Sequence, residues 1–339
     1  MLSIIHNISL KPFHTFHTEV TAEHFTQFQS VDDSKELIHL PLFKNTSHLI
    51  LGGGSNILFT GNVKGLVALN KISGITILAE NEKFMQVEIG AGENWHDVVL
   101  WSIEKNLGGI ENLSLIPGSA GAAPIQNIGA YGVELKEVFV SAEILLTETG
   151  EIKKISKEEC QFGYRDSIFK RELKNKCIIL KITLALTKNP VFRLEYTALA
   201  DALKSVTTHD LSLKKISDTI CHIRTSKLPN PEVTGNAGSF FKNPEISQEK
   251  YQQISNDFPS VVAYNSGKGK KLAAGWLIEQ CGWKGYRKGD AGVHDRQALV
   301  LVNYGKATGA EIINLALEIK DSVRKKFGIE LEMEVNVID

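Results

Sequence analysis

The sequence has few cysteines and no long apolar run, and both absences exclude classes of protein. Its cysteines, Cys160, Cys177, Cys221 and Cys281, lie far apart, and no two have CxxC spacing. A metal knuckle or redox dithiol is therefore not expected, and scattered single thiols are typical of a reducing cytoplasm. The sequence contains no run of 18 apolar residues, so no membrane span is expected. The first residues, MLSIIHNISLKPFHTF, lack the basic start and apolar core of a signal peptide.

The chain also lacks a surplus of charge of either sign. Its net charge is −1 and no basic stripe stands out, which disfavours nucleic acid or an anionic membrane as the main partner. A hydrophobic fraction of 42% and a charged fraction of 23% are those of an ordinary globular protein. A length of 339 residues predicts two or three domains.

Alternating and helical patterns predict a mixed fold. HLILGGGSNILF (48–59) is typical of a strand, a glycine turn and an extended segment, and 75–92 of a hairpin. ENWHDVVLWSIEKNLGG has helical spacing. EVFVSAEILLTETGEIKKI predicts a second hairpin that turns at ETGE, SKEE (156–159) predicts a capping box that opens a short helix, and CIILKITLALTK predicts a buried strand.

The second half of the chain is expected to be richer in helix. A helix is predicted over about 210–226, and LPNPE, with its two prolines, should end it and mark a domain boundary. Further helices are predicted near 247–257, near 271–281 and after the Thr308–Glu311 capping box, with the strand QALVLVN before that box. IELEMEVNVI alternates strictly and predicts a final strand. Hairpins and helices without regular βαβ alternation indicate an α+β chain.

Two glycine-rich stretches are candidate ligand sites. In GGGSN (52–56), three glycines allow successive backbone N–H groups to converge on an anion, although a plain turn is an equally good interpretation. The stretch has neither a dinucleotide fingerprint nor a phosphate-loop lysine. IPGSAGAAPIQNIGAYG (116–132) is a long loop, too apolar for an exposed linker, whose small residues would let a flat ligand approach the backbone. Its alternative is a flexible flap or an Ω-loop.

Three further stretches carry candidate chemical groups. QFGYRDSIFK (161–170) offers Arg165, whose planar fork suits a carboxylate or phosphate, although a surface ion pair is the commoner outcome for such an arginine in isolation. In GNAGSFFKNP (235–244), Ser239 could be a nucleophile, a proton donor, a phosphate ligand or a turn hydroxyl. It is not in a GxSxG elbow, which disfavours a hydrolase nucleophile. The pattern around Glu334 favours a solvated strand face.

Taken together, these motifs resemble one family. LGGGSNILF, IPGSAGAAPIQNIGAYG, CQFGYRDSIFK, RTSKLPNP, GNAGSFFKNP, EQCGWKGY, the VHDRQALVLVN segment and LEMEV are similar, in the same order, to UDP-N-acetylenolpyruvoylglucosamine reductases, the flavoenzymes of peptidoglycan precursor synthesis. The resemblance runs from about residue 12 to the C-terminus. It is closest to the branch of the family with an extra tyrosine loop over the substrate.

The resemblance implies a three-domain α+β architecture and a set of site residues. Two domains, 1–72 with 328–339 and 73–227, would bind non-covalent FAD as in vanillyl-alcohol-oxidase-type proteins, and 228–327 would bind the substrate. Arg165, Ser239 and Glu334 would be catalytic, with Ser239 the proton donor. Tyr164, Tyr196, Lys227 and Asn243 would bind substrate. The cofactor would contact Gly52, Gly53, Gly54, Ser55, Asn56, Pro117, Gly118, Gly121, Ala122, Gln126, Asn127, Gly129, Ala130 and Tyr131.

The implied reaction is the NADPH-dependent reduction of an enolpyruvyl sugar nucleotide through bound FAD, by a monomer in the cytoplasm. Some positions depart from the family pattern: Gly53 stands where some relatives have glutamate, Ala120 where a larger aliphatic residue is usual, and His14 where asparagine is common. The alternatives are an oxidase or dehydrogenase of the same fold, a non-catalytic nucleotide-binding module, and a serine hydrolase.

Overall fold

The computed structural model describes residues 2–267 and 269–339 and divides the chain into two compact units. The first unit comprises Met1–Ile8, Ala22–Gly53 and Lys64–Ser226. The second comprises Ser9–Thr21, Gly54–Val63 and Lys227–Asp339. The chain therefore passes from one unit to the other within GGGSN.

The α-helices are concentrated in the second half of the chain. They are α1 Val31–His39, α2 Pro41–Asn45, α3 Trp95–Glu104, α4 Thr197–Leu203, α5 Leu213–Lys227, α6 Gln248–Asp257, α7 Ala274–Gln280 and α8 Gly309–Phe327. Short 3₁₀ turns lie at Lys11–Phe13, Glu111–Leu113, Ala120–Ala122, Leu135–Glu137, Ile168–Lys170 and Thr208–Asp210.

The strands are mostly short. They are β1 Ile5–Ser9, β2 Thr21–Phe28, β3 His48–Leu51, β4 Ile57–Phe59, β5 Val63–Asn70, β6 Ile75–Glu80, β7 Phe84–Gly90, β8 Gly129–Ala130, β9 Val133–Glu134, β10 Phe139–Leu146, β11 Ile152–Ser156, β12 Cys177–Thr187, β13 Gly235–Ser239, β14 Glu245–Ile246, β15 Ala263–Ser266, β16 Gly269–Leu272, β17 Arg287–Lys288, β18 Ala291–Val293, β19 Val300–Asn303 and β20 Asn336–Ile338.

The first unit is built on two sheets. One has the order β1-β2-β5-β3 with β3 and β5 parallel, and the other, of order β11-β10-β12-β7-β6, is antiparallel. Both predicted hairpins are therefore present. Val87 and Ile89 of β7 point into a core that they share with Trp95 and Val98 of α3, so the side-chain alternation of the strand and the helical spacing of α3 serve the same apolar layer.

The second unit packs around α8. The Thr308 hydroxyl accepts a hydrogen bond from Glu311 N–H, the Glu311 carboxylate accepts from Thr308 N–H, and Gly328 ends the helix at a φ of 64°. The predicted capping box is confirmed, and glycine ends the helix as it commonly does. One apolar stripe of the helix is buried in the core of this unit and comprises Ile312, Leu315, Ile319, Val323 and Phe327. β13, β19, β18 and β17 form a four-stranded sheet in the same unit.

The prediction of a helix after SKEE is wrong. The capping box forms, since Glu159 N–H donates to Ser156 Oγ at 3.2 Å and Ser156 N–H to Glu159 Oε2 at 2.7 Å. However, 157–160 is a single turn, and Gln161 then adopts a φ of 45°. A left-handed residue ends a helical path, so the cap closes one turn and the chain continues into the YRDS stretch.

The prediction of a long final strand is also wrong over most of its length. Only Asn336–Ile338 is a strand, and it pairs in parallel with β4. Before it, Met333 makes one isolated bridge to Phe241. Ile329 and Leu331 are nevertheless buried and Glu330 and Glu332 exposed, so the alternation predicted burial correctly without a continuous ladder. The helix expected near 271–281 begins later, at Ala274, because 269–272 is β16.

Candidate functional site

The loop 116–132 is fixed within the first unit by backbone hydrogen bonds. Gly118 carbonyl accepts from Trp95 N–H at 3.0 Å, Ala120 N–H donates to Glu93 carbonyl at 2.8 Å, and Gly121 N–H donates to Ala91 carbonyl at 2.9 Å. A Cβ on Gly121 would lie 2.5 Å from the Ala91 Cβ. The loop is therefore an ordered element rather than a flap. It carries the predicted cofactor residues Pro117, Gly118, Gly121, Ala122, Gln126, Asn127, Gly129, Ala130 and Tyr131.

The first glycines of GGGSN pack directly on that loop. A Cβ on Gly52 would lie 2.5 Å from Ser119 Oγ, and one on Gly53 2.7 Å from Gly118 Cα. A Cβ essentially never lies that close to a non-bonded heavy atom. The two segments therefore approach each other only because Gly52 and Gly53 have no side chains. Two glycine-rich backbones in contact leave N–H groups and carbonyls accessible to a flat or anionic ligand.

The rest of GGGSN belongs to the second unit. Gly54 has a φ of 61°, and a Cβ there would lie 2.0 Å from the Phe13 carbonyl oxygen. Gly54 carbonyl accepts from Thr15 N–H at 3.1 Å. The half-buried Ser55 follows, and Asn56 carbonyl accepts from Asn336 N–H at 3.1 Å. This turn is thus fixed by a positive φ at glycine and by the return of β20.

The stretch 14–17, next to Gly54, has buried polar atoms without a hydrogen-bond partner. They are His14 Nδ1, Thr15 Oγ1 and His17 Nε2. Burial lowers the pKa of His14 to about 4, so its ring is neutral. Buried polar groups are normally hydrogen-bonded in a complete structure. Unpartnered buried atoms beside a glycine turn fit a polar ligand at this part of the second unit.

The YRDS turn lies on the loop 116–132. Arg165 has a φ of 54°, its Nη2 donates to Gly129 carbonyl at 2.7 Å, and its guanidinium lies 5.4 Å from the Tyr164 ring centroid. Asn127 Nδ2 donates to Gly163 carbonyl at 3.0 Å and Ser167 Oγ to Ile125 carbonyl at 2.7 Å. The turn and the loop are consequently one hydrogen-bonded assembly.

The neighbouring Asp166 has an ion-pair partner of its own. It pairs with Arg171, and the half-buried Arg165 fork is directed to the loop backbone. Tyr196, another predicted substrate residue, lies on the same unit. Its ring meets that of Tyr131 edge to face at 5.1 Å, and 44% of the residue is exposed. The first unit therefore brings Arg165, Tyr164 and the end of the loop together, with Tyr196 against Tyr131.

In the second unit the structure brings Ser239 and Glu334 onto adjacent segments. Ser239 is the last residue of β13, opposite Val300 of β19, and Gly238 before it has a φ of 68° at a register shift. Glu334 N–H donates to Phe240 carbonyl at 2.8 Å, and Glu334 carbonyl accepts from Asn56 Nδ2 at 3.2 Å. Both residues are half-buried. Glu334 is thus not part of a solvated strand face, contrary to the interpretation of its pattern.

Lys227 and Asn243 have different surroundings. Lys227 is the exposed last residue of α5. Asn243 Oδ1 accepts from Ala274 N–H, the first amide of α7, at 2.9 Å. The Asn243 oxygen is therefore used within the fold, and its amide nitrogen is the group left to bind a ligand.

Sequence reasoning missed His96, Leu115 and Arg224, which surround the start of the loop. Leu115 has a φ of 57°, its N–H donates to His96 Nδ1 at 3.0 Å, and its carbonyl accepts from Arg224 Nε at 3.2 Å. Arg224 lies within the RTSKLPNP motif, so the sequence did contain a signal for this one residue. A left-handed leucine leaves no mark in the sequence.

The described residues contain neither a metal-binding group nor a membrane-spanning helix. Within residues 2–267 and 269–339, no three histidine, cysteine, aspartate or glutamate side chains form a group that could hold a metal ion. In the same ranges, no helix is both long enough and apolar enough to cross a bilayer.

Comparison with known families matches both parts of the chain. Residues 22–156 match the family described as FAD binding domain, and residues 230–338 match the family described as UDP-N-acetylenolpyruvoylglucosamine reductase, C-terminal domain. These ranges cover the loop with the glycine turn, and the Ser239 and Glu334 segments, respectively.

Curated relatives match the chain over nearly its whole length. A UDP-N-acetylenolpyruvoylglucosamine reductase of Amoebophilus asiaticus is 50% identical over 98% of this chain and 98% of that protein. One of Pseudomonas savastanoi is 49% identical over 97% of each chain. One of Flavobacterium johnsoniae is 47% identical over 99% of this chain and 100% of that protein.

Solved structures share the fold. A UDP-N-acetylenolpyruvylglucosamine reductase of Thermus caldophilus has a TM-score of 0.67 at 21% identity and covers 100% of both chains. 6-Hydroxy-D-nicotine oxidase of Arthrobacter nicotinovorans has a TM-score of 0.53 at 14% identity, covering 99% of this chain and 89% of that chain. At these identities the likeness concerns the fold, and an oxidase lies among the structures that share it.

Proposed function

Because the chain belongs to the UDP-N-acetylenolpyruvoylglucosamine reductase family, we propose that Arg165, Ser239 and Glu334 carry out its chemistry. The protein is an FAD-dependent oxidoreductase that reduces UDP-N-acetylglucosamine enolpyruvate in peptidoglycan synthesis. The observation that supports the residue proposal is the backbone hydrogen bond from Glu334 N–H to Phe240 carbonyl, which joins the segments that carry Glu334 and Ser239.

FAD, when bound, supplies the hydride that it has taken from NADPH. The residues of the first unit that would hold it are Gly52 and Gly53, whose backbone is free of side chains, with the loop 116–132. Their backbone N–H groups would bind the pyrophosphate. In the second unit, the Gly54 turn and the unpartnered atoms of Thr15 and His17 would suit a polar ligand. A site that holds the cofactor mainly through backbone fixes its position without side-chain rearrangement.

Arg165 would bind the substrate carboxylate. Hydride addition to the enolpyruvyl CH₂ carbon places negative charge on the carbon next to that carboxylate, and a fixed cation contributes to rate when its attraction grows in the transition state. Arg165 is already oriented by its bond to Gly129 carbonyl. A planar fork also suits a carboxylate better than a lysine would.

Ser239 would give the proton to the neighbouring carbon. A serine hydroxyl is a poor acid in water, but it can protonate a strongly basic carbanion held within hydrogen-bond distance. The alkoxide that forms needs positive charge nearby, for which Lys227 is a candidate. Glu334 would orient the enol, or protonate it from the opposite side in place of Ser239. Tyr164, Tyr196 and Asn243 would hold the sugar nucleotide.

The proposal also covers organisation and setting. NADPH is the proposed hydride donor, and we expect a monomer that acts in the cytoplasm. We retain the three-domain division 1–72 with 328–339, 73–227 and 228–327 as a proposal. The two distinct sheets of the first unit support two flavin-binding parts.

Half-reaction kinetics of Ser239→Ala test the proton-donor role. Reduction of the bound flavin by NADPH should stay near its normal rate, and flavin reoxidation by the enolpyruvyl substrate should fall by roughly 10²-fold or more. The exposed Ser260 supplies a matched control, Ser260→Ala, which should change neither rate. An equal loss in both half-reactions would rule out a specific role in protonation. NADPH oxidation that does not depend on the enolpyruvyl nucleotide would favour an oxidase.

A further inference from the structure

The loop 116–132 begins directly after a residue in a costly conformation. Leu115 has a φ of 57°, a left-handed conformation that a residue with a Cβ rarely adopts unless the surroundings impose it. Leu115 is also 36% exposed, so burial of its side chain does not explain why this conformation persists.

Both backbone polar groups of Leu115 are bound by side chains from other helices. Its N–H donates to Nδ1 of His96, in the first turn of α3, at 3.0 Å, and its carbonyl accepts from Nε of Arg224, near the end of α5, at 3.2 Å. The acceptor role of Nδ1 requires the neutral ring with its proton on Nε2. The two contacts together select the left-handed conformation at the entry to the loop.

Arg224 also reaches the other end of the same loop. Its guanidinium interacts with the Tyr131 hydroxyl through a side-chain hydrogen bond, and Tyr131 itself has a φ of 49°. Asn112 Nδ2 donates a hydrogen bond to the Tyr131 carbonyl at 2.8 Å. One side chain of α5 therefore contacts the residue before the loop and the residue near its end.

We propose that His96 and Arg224 are positioning residues that hold Leu115 in its left-handed conformation and thereby set the loop 116–132 in its FAD-binding shape. The inference rests on the proposed assignment of this loop to FAD. Neither residue needs to touch the cofactor, since each acts on the loop backbone.

The contact has a built-in pH dependence. The charged and titratable groups that face His96 are Asp97 of its own helix and Arg224 of α5. Burial lowers the pKa of His96 below 6.5, Asp97 opposes this shift and Arg224 adds to it. The neutral acceptor therefore persists above pH 6.5 and is lost as the pH falls through the lowered pKa, because a protonated Nδ1 cannot accept from Leu115 N–H.

FAD release from the purified holoenzyme, followed by flavin fluorescence, tests the proposal. His96→Leu removes the acceptor and should weaken FAD binding by about tenfold at neutral pH, since a left-handed residue is then no longer imposed. His96→Gln offers a neutral acceptor and should keep most of the affinity while removing its decline below pH 6.5. The exposed His222 on α5 provides the matched control, His222→Gln, which should retain the wild-type pH profile.

Leu115→Gly supplies the decisive second arm. Glycine adopts a positive φ at little cost, so in the Leu115→Gly background His96→Leu should weaken FAD binding by less than about threefold. A full tenfold loss in that background would overturn the proposal, because His96 would then act by another route.

Hydrogen exchange at the Leu115 amide separates the contact from the loop assignment. The proposal expects faster exchange and faster FAD release together in His96→Leu. Faster exchange with unchanged FAD release would overturn the assignment of this loop to FAD. Unchanged exchange would overturn the contact itself.

Discussion

The loop 116–132 of the first unit and the terminal segment 329–339 of the second each have a structure that their sequence pattern does not predict. The loop has no periodicity, yet hydrogen bonds from Trp95, Gly121 and Asn127 fix it along its length. The terminal segment alternates strictly, yet only Asn336–Ile338 is a strand. Periodicity therefore reports which side chains are buried, and it does not report whether the backbone is paired.

Truncation of Leu331 should give the largest effect on stability in this comparison. Leu331 is 0% exposed in the core of the second unit, and Leu331→Ala should lower the free energy of unfolding by about 2–5 kcal/mol. Denaturant unfolding monitored by tryptophan fluorescence measures it. The exposed neighbour gives the control Glu330→Ala, with a change within about 0.5 kcal/mol. Similar effects at both positions would mean that alternation does not mark burial here.

Asn127 tests the loop side of the comparison. The buried Asn127 donates to Gly163 carbonyl and accepts from Lys136 N–H at 3.0 Å, and it has a φ of 44°. Asn127→Ala should lower the free energy of unfolding by about 3 kcal/mol, because it leaves two backbone groups unpaired. Asn127→Asp keeps the acceptor and tolerates the positive φ, but it sets a buried carboxylate against Gly163 carbonyl and Glu134 Oε2, so its loss should be at least as large. A smaller loss in calorimetry would assign the effect to the acceptor.

Removal of the two capping boxes should give the smallest changes in the free energy of unfolding. Thr308→Ala removes the cap of the 19-residue helix α8 and should cost about 1 kcal/mol. Ser156→Ala removes the same bonds where only one turn follows, and we expect a cost of no more than about 0.5 kcal/mol. Thermal unfolding of both variants measures the difference. A larger loss at Ser156 would indicate that the single turn anchors the YRDS stretch.

Local signals predicted what depends on neighbouring residues in the chain. The two hairpins of the first unit and α8 with both its ends followed from alternation, helical spacing and capping residues, since each is determined within about 20 residues. The resemblance supplied the site residues, and the structure placed Arg165 on the loop and Ser239 beside Glu334.

What the sequence did not predict depends on contacts between distant residues. The short β20 and the left-handed Leu115 and Arg165 are each set by a partner elsewhere in the chain: β4 for β20, Gly129 for Arg165, and His96 with Arg224 for Leu115. Local propensity carries no information on such partners, and a side chain gives no sign in the sequence that its φ is positive.

The pairing of β20 with β4 has a consequence for biosynthesis. β4 is made long before its strand partner Asn336–Ile338. The sheets of the first unit are complete once the chain has been made as far as β12, because their strands all lie within Ile5–Thr187. β4 therefore stays without its strand partner until Asn336–Ile338 has been made, and closing so long a loop is slow. An unpaired strand is prone to aggregation, so a chaperone that shields Ile57–Phe59 in the nascent chain would protect the folding of the second unit.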